Sequence, residues 1–272
     1  MNEIRAVICD LDDTLKSRDG GLSEFTKRTI IALRNKGILF GIATGRSSNS
    51  VRRTLKEIHL LELCDVVITM NGAQEHDMKY DRKHSFFPLD KRTLVDLGKI
   101  FEPLDLNYCL YDNDYQFAKR DDLSIQRIGK NNLSIPTFSE LKDLPDILYS
   151  KIMFLVPSEK KEVAMALFNQ HKTAQVRGFF SDPDLIEVVD TRVSKSYAIE
   201  QFCIQHGFTI ANAMAFGDHN NDVEMLKDCG IGVCVGNGNP EAKAAADYIA
   251  LSCEEDGVAH FLNDFLKLEL TR

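Results

Sequence analysis

The stretch IRAVICDLDDTLKS, residues 4–17, runs a short apolar segment straight into three aspartates, Asp10, Asp12 and Asp13. An unbroken apolar run of this kind suits a strand buried on both faces, as in a parallel sheet. The carboxylates that end it repel one another, so a cation, a proton or a basic side chain must offset them. At i and i+2 near a strand end, Asp10 and Asp12 can project from one face with a divalent cation between them, magnesium being the natural candidate. A solvated acidic turn is the competing reading of these residues taken alone.

Outward from this stretch the pattern repeats. SEFTKRTIIALRNKG (23–37) reads as a helix with Ser23 as N-cap and Gly37 just past its end. ILFGIATG (38–45) is a second strand, SSNSVRRTLKEIHL (47–60) a second helix and CDVVITMNGA (64–73) a third strand. The alternation resumes near the other end, with helices over 195–207, 220–230 and 256–270 and strands over 213–218, 231–237 and 248–251; Pro240 suits the first turn of another helix. Between the two parts, strand-like pieces such as LNYCLYDND (106–114), YSKIMFLVP (149–157) and DLIEVVD (184–190) mix with helical ones, DKRTLVDLGKIF (90–101) and SEKKEVAMALFNQH (158–171). FFPL (86–89), YQFAKR (115–120) and AQVRGFFS (174–181) also read as strand-like. The expected fold is α/β: a doubly wound, Rossmann-like parallel sheet formed by residues 1–80 and 189–272, with a smaller α+β domain inserted at 81–188.

In such sheets chemistry sits beyond the carboxyl ends of the strands. There the sequence places DLDD, TGR, NGA and GDHNND. Asp218 ends a strand and Asp222 opens the next helix beside Asn221; the two acids can complete a metal site, although helix capping explains part of the pattern. Thr44 offers a hydroxyl, Gly45 a close backbone approach and Arg46 a charge, as an anion site needs; an ordinary strand-to-helix turn is the bland alternative. Lys195 gains interest from its position at the start of a helix re-entering the sheet. Asn71 either lines the cleft or serves the Asn-Gly turn. In the insert, Arg177, Phe179 and Asp182 fall on an expected loop near a domain boundary, where they read a leaving group or simply pack and solvate.

In their order, DLDDTL, TGR, SK and GDHNND resemble the motifs of the haloacid dehalogenase-like hydrolases. The run VGNGNPEAKAAADYIALSCEEDGVAHFL (235–262) is similar to the tail of their Cof-type branch, whose cap lies between the second and third motifs. The resemblance implies a Mg2+-dependent phosphatase of small phosphorylated metabolites, with sugar phosphates the default. Asp10 would attack phosphorus to give an aspartyl-phosphate, and Asp12 would act as general acid and base. Asp10, the Asp12 backbone carbonyl and Asp218 would hold the metal, with Asp222 as a further acidic partner. Thr44, the Gly45 amide and Asn221 would hold phosphoryl oxygens, Lys195 would offset charge on nucleophile and phosphate, and Arg46, Asn71 and Arg177 are candidates for substrate contact. The cap implies a closed, metabolite-sized pocket. Asp13 and Ser196 stand where glycine is usual in the family, and Thr14 is expected to support the loop rather than react.

Composition narrows the alternatives. A net charge of −8 over 272 residues argues against a nucleic-acid binder. Seven scattered cysteines without a Cys-x-x-Cys pair suggest reduced thiols, and no stretch reads as a secretion signal or a membrane span, so a cytoplasmic protein without membrane partners is expected. Three other functions share this inventory: a phosphotransferase or mutase of the same architecture, a non-catalytic phosphate-sensing regulator, and a receiver-like signalling domain, for which the chain is long. Oligomeric state stays open.

Overall fold

A computed structural model describes residues 3–17, 20–112, 115–132, 134–182 and 184–271, apart from the side chains of Asp112, Asn131 and Asp182. The expected alternation is present at the start: β1 (Ala6–Cys9), α1 (Glu24–Asn35), β2 (Leu39–Ala43), α2 (Ser48–Glu57) and β3 (Val66–Thr69), followed by β4 (Gln74–Asp77) and β5 (Arg82–Ser85). The middle of the chain forms α3 (Lys91–Phe101), β6 (Asn107–Asp112), β7 (Tyr115–Ala118), α4 (Leu123–Asn132), β8 (Ile135–Phe138), β9 (Ile152–Leu155), α5 (Lys161–His171), β10 (Val176–Asp182) and β11 (Leu185–Asp190). The chain ends with α6 (Lys195–Gln205), β12 (Ala213–Gly217), α7 (Val223–Asp228), β13 (Ile231–Cys234), α8 (Pro240–Ala245), β14 (Tyr248–Ile249) and α9 (Gly257–Leu266). It divides into two compact units: Met1–Arg46 with Val51–His84 and Ser194–Arg272, and Ser47–Ser50 with Ser85–Val193.

In the first unit the described strands form one eight-stranded sheet in the order β14-β13-β12-β1-β2-β3-β4-β5. From β14 to β3 every pairing is parallel, and β4 runs antiparallel to β3. The parallel α/β sheet is therefore as expected, and β1 lies at its centre. Its side chains and those of its neighbours, Val7, Cys9, Phe40, Ile42, Met214 and Phe216, are fully buried. Burial of a large apolar side chain contributes about 1.5–3 kcal/mol, so this cluster fixes the strand ends that carry the polar motifs.

β4 and β5 were not expected, and the reason is chemical. The inward residues of β4 are Glu75 and Asp77, not apolar side chains. His206 Nε2 lies 3.0 Å from Asp77 Oδ2, and Gln205 Nε2 donates to Glu75 Oε1 at 3.3 Å. A polar face buried against polar partners carries no apolar period for the sequence to show. β5 closes this edge with exposed Arg82 and Lys83, which discourage further strand pairing.

In the second unit the described strands order as β10-β11-β9-β6-β7-β8, antiparallel throughout except β7 with β8. Leu94 and Phe101 of α3, Phe154 of β9 and Phe168 of α5 form its core. α4 and β8 had no counterpart in the sequence reading. β8 is an edge strand containing Pro136, with Ile135 and Phe138 exposed, so neither alternation nor burial marks it. FFPL forms no strand beyond a bridge from Leu89 to Tyr149. Arg177 and Phe179 lie on strand β10 and not on a loop, while the Asp182 side chain falls outside the described residues. Among the described residues no helix is long and apolar enough to cross a membrane, and all seven cysteines are free.

Candidate active site

The loop after β1 is anchored before it turns. Asp10 N donates to Phe216 O of β12 at 2.9 Å, and Asp13 N donates to Lys16 O at 2.7 Å. Asp13 adopts a left-handed backbone, φ 62°, which aspartate tolerates better than most residues with a side chain. Thr14 supports the loop as expected, its hydroxyl donating to Asp218 Oδ1 at 2.7 Å.

Lys195 enters from the opposite side of the sequence. Ser194 caps α6 by accepting from Tyr197 N at 3.0 Å, which makes Lys195 the first helical residue. Only 1% of Lys195 is exposed, and its Nζ donates to Asp10 Oδ1 at 2.6 Å and Asp222 Oδ1 at 2.7 Å. Asp222 is fully buried, and its other oxygen accepts from the amides of Asp218 at 2.9 Å and His219 at 3.0 Å. The neighbouring Ser196 packs α6 on α7, donating to Asp228 Oδ2 at 2.6 Å.

Asp10, Asp218 and Asp222 each present an oxygen within 4.8 Å of the others. One ammonium faces three carboxylates. Burial, reinforced by Asp222 and Asp218, pushes Asp10 up to about 8 against the pull of Lys195. Burial likewise raises Asp218, while Thr14 and Lys195 pull it down and Asp222 raises it. Burial works against the Lys195 ammonium, but Asp10 and Asp222 hold it above the usual lysine range. The cluster thus carries uncompensated negative charge on hard oxygen donors, which fits a hard divalent cation.

This imbalance gives a stability prediction. With divalent cations chelated, folded Asp10 keeps a proton that the unfolded chain releases near pH 4. Its contribution is fully present at low pH and lost as pH rises toward about 8. The urea midpoint in EDTA is expected to fall between pH 5 and pH 8, and saturating Mg2+ is expected to flatten the slope. A midpoint that climbs with pH in EDTA would contradict this charge assignment.

Asp12 does not share its carboxylate with this cluster. Arg46, just beyond β2, holds both its oxygens, Nε to Oδ2 at 2.6 Å and Nη2 to Oδ1 at 2.7 Å, and Arg46 Nη1 donates to Thr54 Oγ1 at 2.8 Å. The planar guanidinium matches a carboxylate through two parallel bonds, and this outweighs a location shared with Asp10. The picture of two side-chain carboxylates flanking one cation therefore does not describe Asp12 in this structure.

The remaining motif residues meet around Asn71. Thr44 is buried, and its hydroxyl accepts from Arg46 N at 3.2 Å. Asn71 N donates to Thr44 O at 3.0 Å and Met70 N to Arg46 O at 3.0 Å. These bonds hold two successive left-handed residues, Met70 at φ 52° and Asn71 at φ 56°, a conformation that costs of order 1–3 kcal/mol per residue. Asn71 Oδ1 accepts from Asn221 Nδ2 at 3.1 Å, and a Cβ on Gly45 would come within 3.0 Å of that same oxygen. A side chain at 45 would thus crowd the Asn71 amide, which would have to move by a few tenths of an ångström. Asn71 joins the Thr44 loop to Asn221. Arg177 belongs to the second unit, where its guanidinium bonds to Val193 O.

Sequence reasoning missed Thr54, the buttress of Arg46, and Asn237, whose Nδ2 donates to Asp13 O at 2.7 Å. A signal for Asn237 existed: VGNGNP follows β13 at the same strand ends as the other motifs.

A family model for haloacid dehalogenase-like hydrolases matches residues 7–262. The chain is 28% identical over 267 residues to the 5-amino-6-(5-phospho-D-ribitylamino)uracil phosphatase YitU of Bacillus subtilis (strain 168), covering 96% of this chain and 97% of that protein. It is also 28% identical over 265 residues to the HMP-PP phosphatase of Yersinia enterocolitica, covering 96% and 95%. Among solved structures, a haloacid dehalogenase-like hydrolase from Bacteroides thetaiotaomicron aligns with a TM-score of 0.85 at 23% identity, over 97% of this chain and 100% of that one. A HAD subclass IIB sugar phosphatase aligns at 0.81 and 21% identity, over 96% and 98%. At these identities the structural matches speak for the fold. Parallel topology, strand-end acids and the family match together define an enzyme of the hydrolase class. The chain belongs to the haloacid dehalogenase-like hydrolases, as a phosphoric monoester hydrolase of their Cof-type branch.

Proposed function

We propose that the chain is a Mg2+-dependent phosphatase that hydrolyses small phosphorylated metabolites, with sugar phosphates as the default substrates, through an aspartyl-phosphate on Asp10. The observation that carries this reading is the buried Lys195 held between Asp10 and Asp222 with Asp218 alongside. Asp10 attacks phosphorus as the ester P–O bond breaks, and Asp12, once released from Arg46 and protonated, gives its proton to the departing alkoxide. Asp12 then takes a proton from the water that attacks the aspartyl-phosphate, which frees inorganic phosphate and Asp10.

Lys195 offsets charge on Asp10 and on the phosphoryl group, while Thr44, the Gly45 amide and Asn221 hold phosphoryl oxygens. Asp10, Asp218 and the Asp12 carbonyl would hold Mg2+, with Asp222 as a further acidic partner, and the ion would supply the remaining charge neutralisation that phosphoryl transfer needs. Arg46 lies on the Asp12 side, as a residue near the leaving group would, and Asn71 serves by holding Asn221. The names of YitU and of the HMP-PP phosphatase describe enzymes acting on small phosphorylated compounds, which supports the substrate class. Seven free thiols support a reducing, cytoplasmic setting.

The test is phosphate release from sugar phosphates, nucleotides, pyridoxal phosphate and p-nitrophenyl phosphate, with Mg2+ or with EDTA. Release is expected with Mg2+ and is expected to fall to background in EDTA. Equal rates in both would overturn the metal requirement, and transfer to an added alcohol in place of water would make the enzyme a phosphotransferase.

A further inference from the structure

The loop between β13 and α8 reaches both acid-bearing loops of the first unit. Asn237 Nδ2 donates to Asp13 O at 2.7 Å, and Asn237 Oδ1 accepts from Cys253 N at 2.8 Å. Two residues on, Asn239 N donates to Asp218 O at 2.9 Å, and Asn239 Nδ2 donates to Asn220 Oδ1 at 2.7 Å. Between them Gly238 leaves no room for a side chain, since a Cβ there would lie 2.3 Å from Cys234 Sγ and 3.2 Å from Asp218 O. One short loop therefore grips the turn that follows Asp10 and Asp12 and the turn that carries Asp218 and Asp222.

We infer that Asn237 is a positioning residue for the divalent cation: through the Asp13 carbonyl it fixes the Asp10–Asp13 turn relative to the Asp218 loop. The inference rests on the metal site proposed above. Asp13 is where this turn is most in need of support. Its backbone is left-handed, and the Asn237 bond fixes the carbonyl that follows it. A shift of this turn would displace the Asp12 carbonyl relative to Asp218, and outer groups that orient metal ligands typically control affinity by about 10–100-fold. Asn237 itself is exposed, so its truncation leaves no cavity.

Two substitutions separate this role from simple loop bracing. Asn237→Ala loses both hydrogen bonds. Asn237→Asp keeps an acceptor for Cys253 N but loses the donor to Asp13 O, and it adds a negative charge that by itself would strengthen cation binding. Titration calorimetry with Mg2+, together with melting in EDTA, reads both. The expected result is an apparent Kd about tenfold or more weaker for both variants, with EDTA melting points close to wild type. Asn237→Asp binding Mg2+ as wild type does, while Asn237→Ala does not, would overturn the inference and assign Asn237 to the Cys253 loop alone. Wild-type affinity in both variants would also overturn it. If the wild-type protein takes up no Mg2+, the metal site itself fails, and that outcome is distinct from a failure confined to Asn237.

Discussion

Asp10→Asn is expected to abolish phosphate release, by at least about 10^4-fold, the scale on which loss of a covalent nucleophile acts. The substitution keeps the shape of the side chain and an oxygen that can accept from Lys195, so the loss reports chemistry and not packing. A second effect of opposite sign is expected in the same variant. Burial and the neighbouring acids make a charged Asp10 costly in the absence of a cation. The neutral amide removes that cost, so Asp10→Asn should unfold at a higher urea concentration than wild type in EDTA at pH 8. An inactive and more stable variant is difficult to explain except by a carboxylate kept for function against its own solvation. Turnover within tenfold of wild type would remove Asp10 from the role of nucleophile.

Lys195→Met is expected to lose both activity and stability. The methionine fills the same space with an apolar chain, but Asp10 and the fully buried Asp222 lose their ammonium partner. Removing one partner of a buried ion pair costs about 3–5 kcal/mol. At roughly 2–4 °C per kcal/mol for a large domain, the melting point in EDTA should fall by roughly 6–20 °C. Mg2+ should restore part of the loss, because a cation takes over the neutralisation of Asp10. Thermal unfolding with and without Mg2+ measures both. An unchanged melting point in EDTA would mean that protons, not Lys195, carry the compensation.

Particular residues show how far the sequence could be read. The parallel strands were legible because β1, β2, β3, β12 and β13 are apolar nearly throughout, and their polar ends marked one edge of the sheet. That convergence brought Asp10, Asp218 and Asp222 together, while Lys195 was marked by its place at the start of the helix re-entering the sheet. β4 was illegible because its buried residues are acids whose partners, Gln205 and His206, lie about 130 residues away in the chain. The pairing of the Asp12 carboxylate with Arg46 was not legible because strand geometry says where a side chain starts, not which distant guanidinium meets it. Asn237 was overlooked because an asparagine beside glycine reads first as a turn.

The place of β1 in the sheet has a consequence for how the molecule comes into being. One side of β1 pairs with β2, Ala6 opposite Leu39, and the other pairs with β12, Ala6 opposite Ala213. Translation at 5–20 residues per second delivers β2 within seconds of β1, but β12 on the order of 10–40 s later. Throughout that interval the strand that leads to Asp10 has one bare edge. An apolar strand with an open edge is what chaperones bind and what aggregates recruit. Asp10 is thus synthesised long before the strand that completes its seat.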